Sequence, residues 1–229
     1  MTKHFQKELE NIKKRILTLG YTVEEFARLG VKAVETRDAD LAERIIRKDF
    51  EIDEMEVEIE EECLKVLALH QPVAVDLRFL IAVIKINNDL ERIGDEVVNI
   101  AERVEIIAKR PPLDFSFDYS LMGEKAQKML KLGLDALVSM DDDLAWKVVH
   151  LDDEVDQLKH DAYDQIKSAI SADPSRVGYL INLLLISRHI ERIHVDGTGI
   201  CCSVVDWRAV NADGRAVFSA RSDSQRTAR

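Results

Sequence analysis

The chain has 229 residues, 46% of them apolar and 33% charged, with nine Gly, four Pro, few aromatics and a formal charge of −11. This balance suits long amphipathic helices better than a β-rich fold, and the charge argues against nucleic acid or an anionic membrane as the main partner. No apolar run approaches the about 18 residues of a membrane span, the polar start Met1-Thr2-Lys3-His4-Phe5 is not a signal peptide, and Cys63, Cys201 and Cys202 show neither disulfide nor zinc spacing, so reduced thiols in a cytoplasm are expected.

Helical periodicity runs from residue 3 to about 36, with Phe5, Leu9, Ile12, Ile16, Leu19, Val23, Phe26 and Leu29 at spacings of three and four. Asp38 or Asp40 can cap a second helix, carrying Leu41, Ile45, Ile52, Ile59 and Leu67 and ending near Leu69, because Gln71-Pro72 disfavours continuation. A third helix begins at Val75 or Asp76, continues to about Lys109, and stops at Arg110-Pro111-Pro112. Three helices of about 30 residues, each roughly 45 Å long, make an elongated antiparallel bundle.

The plan then repeats. Arg37-Asp38-Ala39-Asp40-Leu41-Ala42 corresponds to Met140-Asp141-Asp142-Asp143-Leu144-Ala145, and Asp49 to Asp53 corresponds to Asp152 to Asp156, both at an offset of 103. Leu90-Glu91-Arg92-Ile93 corresponds to Ile190-Glu191-Arg192-Ile193 at an offset of 100. Helices are therefore expected at about 118–139, 141–171 and from 175 onward. The expected fold is all-α: two tandem antiparallel three-helix bundles, residues 1–112 and 113–193, with the last helix cut short. Residues 194–229 form a divergent third segment. From His194 to Arg229 there is neither Lys nor Glu, and Gly197, Gly199 and Gly214 appear. The segment reads either as a changed reading frame or as a diverged, partly disordered tail.

The residues that could carry chemistry form acidic stripes. In the third helix Asn88, Glu91, Asp95, Asn99 and Glu102 fall within roughly an 80° arc, beside a neighbouring apolar face of Leu90, Ile93, Val97 and Ile100. The second helix supplies Asp49, Asp53, Glu56 and Glu60. Set antiparallel, the two helices bring Asp49 and Asp53 near Glu91 and Asp95. Carboxylates stacked at i and i+4 repel, so they need a metal, a neighbouring Arg or Lys such as Arg92, Arg78 or Lys85, or solvent. Oxygen donors without His or Cys suit hard cations. The alternative is a solvated acidic face. In the second half Asp152, Asp156 and Glu191 survive, but Val195, Gly199 and Cys202 replace Asp95, Asn99 and Glu102. Asp196 stands one residue out of place, so the second site is expected to be crippled or absent. His4, His70, His150 and His160 read as surface or loop residues, and Cys63 as packing.

Several motifs resemble the PhoU family: Asp49-x-x-x-Asp53, Gln71-Pro72-Val73-Ala74-x-Asp76-Leu77-Arg78, Asp89-Leu90-Glu91-Arg92-Ile93-Gly94-Asp95-x-x-x-Asn99-Ile100-Ala101-Glu102 and Ser187-Arg188-His189-Ile190-Glu191-Arg192-Ile193. The resemblance spans residues 3 to 193. It implies two three-helix bundles, a homodimer, and divalent or iron-type metal ions (Fe, Mn or Mg) held by paired acidic motifs. Asp49, Asp53, Glu91 and Asp95 are then the primary ligands, Asn99 and Glu102 secondary ones, and Asp152, Asp156 and Glu191 the remains of a second site. It further implies a cytoplasmic accessory protein of the phosphate-specific ABC transporter. Such a protein links the transporter ATPase subunit to a sensor histidine kinase and damps the phosphate-starvation response. No nucleophile–base pair or phosphate-cradling Gly-rich loop suggests an enzyme. The competing reading is a ferritin-like di-metal oxidase or hydrolase, for which Glu191-x-x-His194 supplies half of the required pair.

Overall fold

Helix ends fall where capping chemistry allows them. In the computed structural model, which describes residues 3–111, 113, 115, 117–139 and 153–213, helix α1 spans Lys3–Thr36. Arg37 follows at φ 51°, a left-handed stop at which Asp38 N–H donates to Ala33 O. Helix α2, Ala39–His70, starts on the Asp38 carboxylate, which accepts from Leu41 N at 2.9 Å. It ends on left-handed Gln71, and Pro72 prevents resumption. Helix α3 is Ala74–Ala108 and α4 is Tyr119–Ser139. Helix α5 is described over Asp153–Ala172, and a 3₁₀ turn at Pro174–Arg176 leads into α6, Val177–Asp213. The expected start of the fifth helix, at 141, lies outside the described residues. Among the described residues no helix is long and apolar enough to cross a membrane.

Two three-helix bundles result, α1–α3 and α4–α6, joined most extensively along α3 and α6 and also along α1 and α4. One continuous apolar core runs through both, from Ile12 and Ile52 through Ile93 and Leu130 to Ile190 and Ile200. Cys63 is buried in it, as a packing residue should be.

The two halves meet through reciprocal contacts. A Cβ on Gly20 of α1 would lie 2.4 Å from Leu134 of α4, and a Cβ on Gly123 of α4 would lie 2.5 Å from Val31 of α1. Gly20 and Gly123, like Val31 and Leu134, are equivalent at the repeat offset of 103. Residue i of one half touching j of the other, and the reverse, is the signature of two-fold pairing, here within one chain.

The expectation of a last helix cut short and a divergent tail from 194 needs correction. Helix α6 continues without a break to Asp213, and Ile200, Cys201 and Val204 are buried within it. Loss of Lys and Glu does not end a helix while apolar residues keep three- and four-residue spacing. Gly197 and Gly199, costing about 1 kcal/mol each in helix propensity, sit where neighbours come close. A Cβ on Gly197 would be 3.3 Å from Leu130 N, and one on Gly199 would be 3.1 Å from an Asp89 carboxylate oxygen. Residues 214–229 lie outside the described residues.

Candidate functional site

Helices α2 and α3 pack through Ile52, Ile59, Ile86 and Ile93, which leaves the acidic stripes on the rim of their contact. Gly94 lets Ile52 approach α3: a Cβ there would lie 3.3 Å from Ile52 and 3.7 Å from Asp49 Oδ1. That approach carries the half-buried Asp49 carboxylate inward. Its Oδ1 is buried with no hydrogen-bond partner, and burial, followed by the charges of Asp53 and Asp95, pushes its pKa up to about 6. Burial and then Asp95, Glu56, Asp53 and Asp49 raise Glu91. Burial, Asp53 and Glu96 raise Asp95. The structure thus brings together Asp49, Asp53, Glu91 and Asp95, and adds Glu56, which burial, Glu60 and Asp53 likewise raise. Sequence reasoning placed Glu56 on the stripe without selecting it. It also passed over Asn87, fully buried, whose amide nitrogen donates to Glu56 O at 2.9 Å and to its carboxylate at 3.0 Å. An Asn between Ile86 and Leu90 was the available signal.

Asn99 is half-buried one turn beyond Asp95, whereas Glu102 stands apart from the group. Glu102 lies seven residues beyond Asp95, about 10 Å along the axis, is exposed, and accepts from Arg103 at 3.1 Å. Arg92, a candidate neutraliser, is committed elsewhere: it reaches Asp196 of α6 at 2.6 Å and Asp89 at 3.6 Å. Among the described residues no three His, Cys, Asp or Glu side chains already converge to hold a metal ion. The α2–α3 group is therefore a set of mutually repelling oxygen donors, with Asp53 and Asp95 exposed and able to reorient.

The second half is different. Asp152 lies outside the described residues, and Asp156 is exposed. Glu191 is buried, 8% exposed, and receives the Lys159 ammonium of α5 at 3.0 Å. Lys159 occupies the position equivalent to Glu56, so an internal cation already serves the carboxylate there. This pairing also removes Glu191 from a di-metal Glu-x-x-His set.

Asp196 is not misplaced but has another task. It aligns with Glu96, as Arg192 aligns with Arg92, and the two pairs cross the α3–α6 seam reciprocally. Arg92 meets Asp196 at 2.6 Å, while Arg192 meets Glu96 at 3.4 Å and His189 meets Glu96 at 2.5 Å. Burial is the main cause that pushes Asp196 up to about 6, against the opposing pull of Arg92. His70 is also more than a loop residue. It closes α2 with its ring 4.9 Å from Phe5 and its Nε2 2.6 Å from the Glu8 carboxylate.

The PhoU domain family model matches residues 16–104 and 119–201, one copy on each bundle. The chain belongs to the PhoU family. A phosphate-specific transport system accessory protein PhoU homolog of Aquifex aeolicus is 36% identical over 81% of this chain and 84% of that protein. The phosphate-specific transport system accessory protein PhoU of Escherichia coli K12 is 31% identical over 97% of this chain and 95% of that protein. The crystal structure of PhoU from Pseudomonas aeruginosa superposes with a TM-score of 0.86 at 32% identity, covering 90% of this chain and 99% of that one. The all-helical, two-repeat architecture expected from the sequence is thus that of solved PhoU structures, and the match to 201 agrees with a last helix that passes Ile193.

Proposed function

We propose that this PhoU-family chain is a cytoplasmic accessory protein of a phosphate-specific transport system. It couples the transporter ATPase subunit to a sensor histidine kinase and damps the phosphate-starvation response. The observation that carries the role is the near full-length match to proteins named as phosphate-specific transport system accessory proteins. Deleting the gene is expected to raise phosphate-starvation reporter activity in phosphate-replete cells; an unchanged reporter overturns the regulatory role.

We further propose that the α2–α3 carboxylates take a hard divalent or iron-type cation. The supporting observation is the orphaned buried Asp49 oxygen beside Glu91 and Asp95, whose pKa values, like its own, are held up by burial and neighbouring carboxylates. Asp49, Asp53, Glu91 and Asp95 would hold the ion, which would supply the positive charge missing between the helices and fix their spacing. The second half, with Lys159 on Glu191, does not fit a cation in the same way. Mass spectrometry of the purified protein after loading with Mn²⁺ or Fe²⁺ is expected to find about one site per chain. Asp53→Ala with Asp95→Ala is expected to weaken the affinity about tenfold or more with helicity kept. Two equivalent sites, or metal content unaltered by that pair, would overturn the assignment.

A further inference from the structure

Helix α2 carries two apolar seams on opposite faces. Ile45, Ile52, Ile59 and Val66 repeat every seven residues and are buried in the bundle. Phe50, Val57 and Leu64 also repeat every seven residues, but they point away from it, with 62%, 50% and 53% of their surfaces exposed. At about 100° per residue the three stay within roughly 40° of one line, over a length of about 21 Å. A polar surface helix has no use for such a line. Nor does the fold require it: the equivalent positions in α5, at the offset of 103, are Asp153, His160 and Lys167.

The line is edged with carboxylates. Asp53 and Glu60 flank it on one side, Glu54 and Glu61 on the other, and no Lys or Arg occurs between Lys48 and Lys65. An apolar seam at seven-residue spacing between two charged rims is the surface a helix presents to a second helix. The rims select the partner. Two copies of this face would oppose their acidic rims, which is unfavourable. We infer that the outer face of α2 docks an amphipathic helix of another protein, its apolar stripe seated on Phe50, Val57 and Leu64 and its Lys or Arg residues on the acidic rims.

The probe is a fluorescent 21-residue helical peptide with Leu at the seam positions and Lys beside them, measured by anisotropy against the full chain at about 0.15 M salt. The amphipathic peptide is expected to bind, and a scrambled peptide of the same composition to bind about tenfold more weakly or worse. The Phe50→Ser, Val57→Ser, Leu64→Ser variant is expected to lose about tenfold or more of the affinity, with circular dichroism unchanged because all three side chains lie opposite the core. Glu54→Lys with Glu61→Lys, which leaves the apolar line intact, is expected to weaken the Lys-flanked peptide and favour a Glu-flanked one. Equal binding of the scrambled peptide would reduce the effect to bulk charge and overturn the proposal. So would full affinity of the triple variant. A dimer that the triple variant splits would overturn it in favour of a second copy of this chain.

Discussion

The two halves of the chain share a fold and differ in how they treat one acidic wall. In the first half Glu56 and Glu91 face each other across α2 and α3, in company with Asp49, Asp53 and Asp95, and the half-buried Asp49, Glu56 and Glu91 are each raised. In the second, Lys159 stands where Glu56 stands and reaches Glu191 at 3.0 Å. The second wall is therefore electrically closed, and the first is open to an outside cation. Elsewhere the halves agree: glycines, branched aliphatics and ion pairs answer each other across the seam. Lys159 in place of Glu56, together with Val195 in place of Asp95, separates a structural wall from a candidate binding one.

Lys159→Glu tests this contrast most severely, since it gives the second wall the carboxylate that Glu56 supplies to the first. A second carboxylate against the buried Glu191 is expected to cost about 2 kcal/mol or more in urea unfolding without metal, moderated because Lys159 itself is partly solvated. Recovery on adding Mn²⁺ would show that the acidic composition alone makes the site. A cost under about 0.5 kcal/mol would mean that the Lys159–Glu191 pair is merely a surface pair.

The agreement between the halves can be probed at the paired glycines. Gly123→Ala is expected to destabilise by about 1–2 kcal/mol, the clash with Val31 outweighing the roughly 1 kcal/mol that Ala gains in a helix. Gly20→Ala should cost less. Its Cβ meets the end of Leu134, which can rotate away, whereas Val31 is β-branched and stiff. Equal thermal midpoints for the two variants would mean that the stiffness of Val31 against the mobility of Leu134 does not set the cost. The reverse exchange in the first wall, Glu56→Lys, is expected to stabilise the metal-free protein by about 0.5–1 kcal/mol, because the loss of the Asn87 bond offsets part of the charge gain. It should also lower metal affinity; unaltered affinity would remove Glu56 from the group.

Most of the helices were legible, because apolar spacing together with Asp38, Gln71-Pro72 and Arg110-Pro111-Pro112 defines their ends locally. The approach of Asp49 to Asp95 was legible too, since antiparallel neighbours with marked stripes leave few registers. The seam between the halves was not. Arg92 reads as a neutraliser of its own helix's carboxylates until the fold sets Asp196 2.6 Å away, 104 residues later in the chain. Nothing in local spacing encodes which faces of two repeats meet. The alignment of Arg92 with Arg192 and of Glu96 with Asp196 was nevertheless visible, and would have signalled reciprocal pairing. Composition misled at the end of the chain: the disappearance of Lys and Glu after Ile193 suggested a break, but Ile200, Cys201 and Val204 preserved the buried stripe.

A dependence on pH separates the open wall from a solvated one. Asp49 titrates near 6 in the folded protein, against about 4 in an unfolded chain. Between those values the folded state binds the extra proton, so this residue's contribution to stability is fully present below about pH 4 and is lost as pH rises through 6. Asn at position 49 stays neutral throughout. Without metal, Asp49→Asn and the parent should therefore match near pH 4. By pH 7 the variant should be more stable by about 1 kcal/mol, a discounted figure because the carboxylate is only half-buried. Parallel stability curves across this range would mean that Asp49 is solvated like an ordinary surface acid. Saturating Mn²⁺ should reverse the order at pH 7, because a cation that binds the folded parent stabilises it by mass action while the variant has lost a ligand. Buried repulsion alone predicts the first difference but not the reversal; only a cation held at this wall predicts both.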